Sequence, residues 1–124
     1  MLSNSMVTAT LPAKNIERAK KFYSDKLGFK PGETYPDGSI LYHCKGSAFL
    51  LYPSEFAGTA KNTALGWQID DVDKEVKDLR SKGVVFEDYD MPGLKTVNGV
   101  ATMGDFKAAW FKDSEGNILS INQM

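Results

Sequence analysis

Residues 15–29 read NIERAKKFYSDKLGF, and this stretch decides the fold of the first half of the chain. Asn15 is a typical helix-capping residue, and Glu17 lies in the first turn, where the helix dipole favours an anion. Apolar residues recur at helical spacing and form one stripe over about three turns: Ile16, Ala19, Phe22, Tyr23 and Leu27. Gly28 stands where a left-handed residue commonly follows a helix. The stretch therefore predicts an amphipathic helix between Asn15 and Gly28.

Strand-like segments lie on both sides of this helix. Residues 7–11 alternate apolar and polar, which is typical of a half-buried strand, and Pro12 is expected to end it. Residues 29–35 are expected to be extended. Residues 40–44 and 47–52 are apolar and β-like, and the two residues between them predict a tight hairpin. The first unit therefore has the order strand, helix, strand, strand, strand.

The same order recurs in the second half of the chain. Residues 65–69 alternate like a strand, Asp71 can cap a second helix, and Gly83 can end it. The two capping residues are 56 residues apart, but the glycines that precede the last strands, Gly46 and Gly116, are 70 apart. The second half therefore contains an insertion of about 15 residues.

The insertion must lie within residues 91–104, before the last two strands, which are predicted at residues 108–111 and 118–122. Structureless loops of this length are uncommon in compact domains and are often lids or binding loops. Two interpretations therefore stay open. The insertion is either a lid over a ligand site or a surface excursion that contains a short extra strand.

Composition and charge limit the class of protein. The chain has 124 residues, which suits one domain over residues 1–124, with a first module at about residues 6–53 and a second at about residues 63–124. The formal net charge of −1 argues against a nucleic-acid partner, because phosphates require a basic face. The single Cys excludes an internal disulfide and a Cys-rich zinc site. Without an apolar membrane span or a secretory pattern, we expect a cytoplasmic protein with no membrane partner.

Three motifs resemble the vicinal oxygen chelate superfamily, which includes glyoxalase I, bleomycin-resistance proteins and extradiol dioxygenases. They are residues 15–23 with residues 27–29, the sequence IDDV of residues 69–72, and the sequence WFKDSEGN of residues 110–117. The resemblance covers nearly the whole chain and implies an α+β fold. In that fold, two βαβββ modules form a curled mixed sheet around a concave cavity, with the helices on the outer face. The resemblance is a poor guide to function, because one scaffold hosts many activities.

The resemblance also implies four strand positions at which enzymes of the family bind a divalent metal through His, Gln or Glu. Here these positions hold Thr8, Leu50, Ala64 and Ser120. Leu50 and Ala64 have no donor atom, and neutral hydroxyls are weak ligands for Zn, Ni or Fe. The single histidine, His43, occupies none of the four positions. We therefore expect no metal site and no cofactor.

Alternation along the strands, placed in register by these four positions, predicts a ligand-binding face. Most apolar strand residues then face the helices, as Val7, Ala9 and Leu11 do in the first strand. The hairpin brings His43 onto the ligand-binding face and leaves Cys44 buried outside it as an inert thiol. The predicted ligand-binding residues are Thr8, Thr10, Leu41, His43, Leu50, Tyr52, Gln68, Phe106, Trp110, Ser120 and Asn122. This set is aromatic and neutral-polar and contains no carboxylate.

Three functions are compatible with such a face. The leading hypothesis is a metal-free small-molecule binding protein whose cavity suits a neutral or weakly anionic aromatic ligand. The resemblance implies a homodimer, because family members often build a cavity from both subunits. The alternative is a metal-independent lyase, isomerase or hydrolase with His43 as the catalytic general acid or base, although the predicted face offers it no second titrating partner. A third interpretation is a degenerate partner subunit that uses this face for protein contact.

These residues also have structural interpretations. His43 can be a partly buried strand histidine with a hydrogen-bond partner. Trp110 and Phe106 can be core or interface packing, and Thr8 and Ser120 can simply fill space. The charged residues of both helices are expected to form a solvated face: Glu17, Arg18, Lys20, Lys21, Lys74, Glu75 and Lys77.

Overall fold

The computed structural model describes all residues from 1 to 124 and contains two α-helices and nine β-strands. A short 3-10 helix, Leu2–Asn4, precedes the first strand. The first half contains β1 (Ala9–Ala13), α1 (Ile16–Asp25), β2 (Ile40–Cys44) and β3 (Ser47–Pro53). The second half contains β4 (Thr63–Gln68), α2 (Val72–Ser81), β5 (Asp90–Met91), β6 (Leu94–Lys95), β7 (Val100–Met103), β8 (Phe106–Lys112) and β9 (Ile118–Gln123).

The strands form two sheets of mixed direction and one short hairpin. The first sheet has the order β1-β3-β2, with β1 parallel and β2 antiparallel to β3. The second sheet has the order β4-β9-β8-β7, with only the β4–β9 pair parallel. Strands β5 and β6 pair with each other. This α+β architecture, with one helix and one mixed sheet in each half, confirms the predicted fold class.

Both helices begin directly after the predicted capping residues and end two or three residues before the predicted glycines. The side chain of Asn15 accepts a backbone amide of the first turn of α1 at 3.0 Å, and Asp71 does the same for α2 at 3.1 Å. Gly28 and Gly83 follow the helices with φ values of +75° and +90°, a region in which glycine carries no steric penalty. Neither helix is long and apolar enough to cross a bilayer.

One hydrophobic core connects the two halves on the helix side of the sheets. The ring of Tyr23 on α1 lies 5.6 Å from that of Phe49 on β3, measured between centroids. Trp67 on β4 lies 5.8 Å from Phe29 and 6.0 Å from Phe49. Aromatic pairs at these separations stabilise a core beyond the burial of their area. Because Trp67 belongs to the second half and its two partners to the first, the halves share a single core.

A buried carboxylate fastens the turn between β8 and β9 to the first half. Oδ2 of Asp113 accepts hydrogen bonds from the Tyr23 hydroxyl at 2.5 Å and from the Asn117 side chain at 2.9 Å. Its Oδ1 accepts the backbone amides of Glu115 and Asn117, both at 2.9 Å. Asn117 also donates to the carbonyl oxygen of Pro12 at 2.8 Å. The WFKDSEGN motif therefore has a structural role, which is to join the second half to α1 and β1.

Glu115 makes a second link between the halves. Its fully buried carboxylate accepts hydrogen bonds from Arg18 Nε at 2.8 Å, Arg18 Nη2 at 3.0 Å and the Asn15 amide at 2.9 Å. Burial raises the pKa of Glu115, but the hydrogen bonds from Arg18, Asn15 and Ser114 outweigh it, so the pKa lies below its ordinary value. Arg18 is exposed, as expected for a solvated face, but its guanidinium also pairs with a carboxylate of the other half.

We expect Glu115→Gln to lower the free energy of unfolding by about 2 kcal/mol near neutral pH, because the charge-assisted hydrogen bonds to Arg18 are lost. The folded pKa of Glu115 lies below the ordinary value of 4.5. Its carboxylate therefore stabilises the fold fully above that pH, and this contribution disappears as the pH falls through the folded pKa. Urea unfolding should show the difference between wild type and variant narrowing in acid. The exposed Glu55→Gln is the control, and a difference that stays constant with pH would contradict the prediction.

The first strand differs from its predicted range. Strand β1 covers Ala9–Ala13 rather than residues 7–11, and Pro12 lies inside it opposite Tyr52. Proline is tolerated there because β1 is an edge strand, one side of which needs no amide donor. Val7 was expected to face α1, but it precedes the strand and is 83% exposed.

The extended segments after the two helices pair with the sheets over short stretches. The backbone amide of Gly32 donates to the Leu41 carbonyl at 2.9 Å, and the Leu41 amide donates to the Glu33 carbonyl at 2.9 Å. Thr34 bridges β2, and Phe86 bridges β8. The extended stretch expected over residues 29–35 therefore pairs with β2 only in its second half, over residues 32–35. Pro31 lies within this segment and has no amide to donate to a ladder.

The insertion forms the short β5–β6 hairpin and β7, which extends the second sheet by pairing with β8. The interpretation as an extra strand is confirmed. Thr96 is buried, and its hydroxyl donates to Asp88 at 2.8 Å. Arg80 Nη2 donates to the Asn98 carbonyl at 2.7 Å, which holds the segment against α2. The insertion thus borders the helix side of the sheet.

Candidate functional site

The predicted ligand-binding residues lie on the sheet surfaces that face away from the helices. We call these surfaces the first open face, on β1-β3-β2, and the second open face, on β4-β9-β8-β7. On the first open face, Thr10 lies opposite Leu50, and Leu50 lies opposite Leu41. All three are exposed or half-buried, whereas the alternate residues Leu11 and Leu51 are completely buried in the core. The strands therefore alternate as expected.

A cavity of about 660 Å³ opens on the first open face. Four of the predicted residues line it: Thr10, Leu41 and Leu50 from the strands, and Thr8, which directly precedes β1. The loop before β2 contributes four residues that sequence reasoning missed: Tyr35, Pro36, Asp37 and Ser39. Alternation along strands cannot locate them, because a loop reaches a cavity through its turn geometry rather than through strand periodicity.

The loop that borders this cavity is a tight turn with a charged side chain. The amide of Gly38, at φ +93°, donates to the Tyr35 carbonyl at 2.9 Å, and Tyr35 donates to the Ser39 carbonyl at 2.9 Å. Asp37 accepts the Ser39 amide at 2.9 Å, and hydrogen bonding to Ser39 lowers the pKa of Asp37. Asp37 is therefore ionised near neutral pH. The expectation that the lining contains no carboxylate is wrong.

His43 and Tyr52 lie on the first open face but outside the cavity lining. His43 Nε2 is 2.7 Å from Glu33 Oε1, and the two side chains are 59% and 57% exposed. The hydrogen bond to His43 lowers the pKa of Glu33. The expectation that His43 has no titrating partner is therefore wrong. Sequence reasoning missed Glu33 because it lies in the irregular segment before β2.

The second open face carries the other five predicted residues: Gln68, Phe106, Trp110, Ser120 and Asn122. The Trp110 ring packs edge-on against Tyr89 at 5.6 Å, and its indole N–H donates to the Thr63 hydroxyl at 3.2 Å. An irregularity between Thr63 and Leu65 shifts the register of β4. Thr63 and Tyr89 therefore join this face without having been predicted. None of these seven residues lines the 660 Å³ cavity.

The residues present do not fit the metal that the family resemblance implies. Leu50 and Ala64 offer no donor, and no group of three or more His, Cys, Asp or Glu side chains is placed to hold an ion. Ser120 is buried close to Gly66, where an added Cβ would meet the Ser120 hydroxyl at 2.2 Å. Only the Thr8 and Ser120 hydroxyls remain, and two neutral oxygens are a poor donor set for a transition metal.

The fold and these open faces define a glyoxalase-type protein. Residues 5–121 match the model of the Glyoxalase/Bleomycin resistance protein/Dioxygenase superfamily, and the chain belongs to this family. A comparison with curated protein sequences gave no significant match.

Several solved structures share the fold. UcmS2 has a TM-score of 0.74 at 19% identity over 94% of this chain and 96% of that chain. TnmS3, an antibiotic binding protein from Streptomyces sp. CB03234, has a TM-score of 0.68 at 24% identity over 99% and 98%. FosX, a fosfomycin resistance protein from Listeria monocytogenes, has a TM-score of 0.70 at 14% identity over 98% and 93%. At these identities, the likeness shows the fold alone.

Proposed function

We propose that the chain is a metal-free small-molecule binding protein whose ligand is a neutral aromatic compound. The observation that carries this proposal is the cavity of about 660 Å³ on the first open face, beside positions that lack metal donors. Its volume falls within the range of roughly 300–1,000 Å³ that is common for ligand sites. The antibiotic-binding description of TnmS3 supports a binding role for the same fold.

The chemistry of the cavity wall favours an uncharged ligand. Leu41 and Leu50 form an apolar floor, while the Thr8 and Thr10 hydroxyls can donate or accept hydrogen bonds at one side. Asp37 adds a negative charge at the rim. The sequence alone favoured a neutral or weakly anionic ligand, and this carboxylate disfavours an anionic one because like charges repel.

We further propose that a second copy of the chain covers the cavity. Val7 and Met6, which precede β1 close to Thr8, are 83% and 67% exposed. Met103, opposite Phe106 on the second open face, is 61% exposed. Exposed apolar side chains beside the first open face and on the second are typical of surfaces that become covered by a partner.

A homodimer in which the second open face of one chain approaches the first open face of the other would bring all the predicted residues together. Light scattering of the purified chain at micromolar concentration should give the mass of two chains. A clean monomer over the same concentration range would contradict the dimer.

One core over both modules supports a single domain. The free Cys44 fits a cytoplasmic protein.

Melting temperatures measured with a panel of aromatic compounds test the binding function. A ligand of the native state at a hundred times its dissociation constant stabilises the fold by about 2.7 kcal/mol. We expect neutral planar compounds to raise the melting temperature, and the increase to persist with excess chelator. Carboxylate analogues should bind more weakly because of Asp37. A panel without any shift, or a shift that requires added metal, would contradict the proposal.

A metal-independent lyase, isomerase or hydrolase is the second candidate, because the Glu33 carboxylate can orient the His43 imidazole as a general acid or base. In that case, turnover should survive chelators and fall at least about a hundredfold in His43→Ala. Glu33→Gln should give a smaller loss and a changed pH profile, because it keeps the hydrogen bond but removes the charge. Equal turnover in His43→Ala would exclude this mechanism.

A further inference from the structure

A second large cavity, of about 630 Å³, lies between α2 and the insertion. We call it the α2 groove. Its β7 wall includes Val100, whose partner on β8, Ala109, is completely buried in the core beneath the helices. The groove is therefore on the helix side of the second sheet, opposite to the second open face. The first half has no equivalent, because the insertion that forms one wall occurs only in the second half.

The α2 groove has an excess of positive charge. Lys77 and Arg80 on α2 and Lys95 on β6 line it, and none of the three lies within 4.0 Å of a carboxylate. The one acidic residue of the lining, Asp73, is paired with Lys107. The Asp88 carboxylate accepts hydrogen bonds from the insertion and lies close enough to Arg80 for the Arg80 charge to help lower the Asp88 pKa. Lys77 and Lys95 therefore lack a paired carboxylate, and Arg80 has Asp88 only beyond 4.0 Å.

An apolar wall accompanies these charges. Val76 and Val100 line the groove from α2 and β7, and Val97 projects from the insertion with 67% of its surface exposed. An exposed branched side chain beside three cations would bury its surface against a ligand with an apolar body. The combination of cations and valines therefore selects an amphipathic anion, which needs both kinds of contact.

The insertion wall is held in a defined conformation. Asn98 has a φ of +51° and is the only non-glycine residue of the chain in the left-handed region. Arg80 Nη2 donates to its carbonyl at 2.7 Å, and the same guanidinium stacks 5.6 Å from the centre of the Phe86 ring. At Gly99, an added Cβ would meet Phe86 at 2.9 Å. Because this wall is already ordered, a ligand that binds to it causes little further loss of conformational entropy. The Arg80 guanidinium has other N–H donors that remain free for a ligand.

We propose that the α2 groove is a binding site for a small amphipathic anion. The carboxylate or phosphate head lies between Lys77, Lys95 and Arg80, and the aliphatic or aromatic body covers Val97 and Val100. The site is separate from the cavity on the first open face, and it does not depend on the function proposed for that cavity.

Calorimetric titration with three ten-carbon probes tests the proposal: decanoate, decyl phosphate and decyltrimethylammonium, all below their micelle concentrations. We expect both anions to bind and the cation to bind at least about tenfold more weakly. Tighter binding of decyl phosphate than of decanoate would identify phosphate as the preferred head, and the reverse order would identify carboxylate. Added salt should weaken the binding of both anions, because Lys77, Arg80 and Lys95 are solvent-exposed and their charges are screened by salt.

The charge-reversal variant K77E/K95E locates the site. It should lose at least about tenfold in affinity for decanoate. The matched variant K21E/K30E reverses two exposed, unpaired lysines elsewhere and should bind as the wild type does. In NMR spectra recorded during titration with decanoate, the changes in backbone amide chemical shift should cluster at residues 76–80 and 95–102. Equal affinity in K77E/K95E, equal binding of the cation, shifts confined to the open faces, or no anion binding at millimolar concentration would each overturn the proposal.

Discussion

Replacing Asp113 with Ala should lower the free energy of unfolding by about 4 kcal/mol, a large part of the stability of an ordinary domain. The carboxylate accepts hydrogen bonds from the Tyr23 hydroxyl, the Asn117 side chain and two backbone amides of the β8–β9 turn. Asp113 is 6% exposed, so water cannot readily replace it as the acceptor. Each buried donor left without a partner costs about 1–3 kcal/mol. Urea unfolding followed by circular dichroism measures the loss.

Two further variants separate this network from general damage. Tyr23→Phe removes one donor only and should cost about 1–2 kcal/mol. Burial and the neighbouring Asp113 charge raise the pKa of Tyr23 well above its ordinary value. The double variant Y23F/D113A should be less destabilised than the sum of the two single variants. If D113A were no more destabilising than Asp105→Ala, which alters an exposed turn, the network would not have the assigned role.

The substitution Thr10→Trp should reduce the affinity for a neutral aromatic ligand at least about a hundredfold. Thr10 lies beside Leu50 and lines the cavity on the first open face. An indole at this position occupies the volume that the ligand needs. Because Thr10 is exposed, the larger side chain should fit without disturbing the core. The measurement is a titration with the panel compound that gives the largest increase in melting temperature.

Ser24→Trp is the matched control for this prediction. Ser24 is exposed on α1, away from both open faces, so the same residue change should leave binding unaltered. Unfolding curves should show both variants to be folded. Unchanged affinity in Thr10→Trp would show that the ligand binds elsewhere and that this cavity is not the ligand site.

Local signals predict most of the fold because they act within a few residues. Asn15 and Asp71 cap their helices through their own side chains, and the two-residue connection before Ser47 produces the expected hairpin. Pro12 was misplaced because its tolerance depends on β1 being an edge strand, which is a property of the whole sheet. The ion pair of the exposed Arg18 was not predicted, because its partner Glu115 lies 97 residues away in the sequence.

The candidate site could be predicted only where strand alternation determines it. Thr10, Leu41 and Leu50 share a face because successive side chains of a strand point to opposite sides. Asp37 and Glu33 reach the same side of the molecule from irregular segments, whose course depends on turn geometry. The Asp37 carboxylate changes the ligand charge that the sequence predicts, and the Glu33 carboxylate is the hydrogen-bond partner of His43.

Native mass spectrometry of the purified chain, with the best neutral aromatic compound added, determines whether this scaffold binds an organic ligand without a metal ion. We expect the mass of two chains, with bound aromatic compound and no transition-metal ion. One tightly held transition-metal ion per chain, together with a requirement for that ion in ligand binding, would contradict the account.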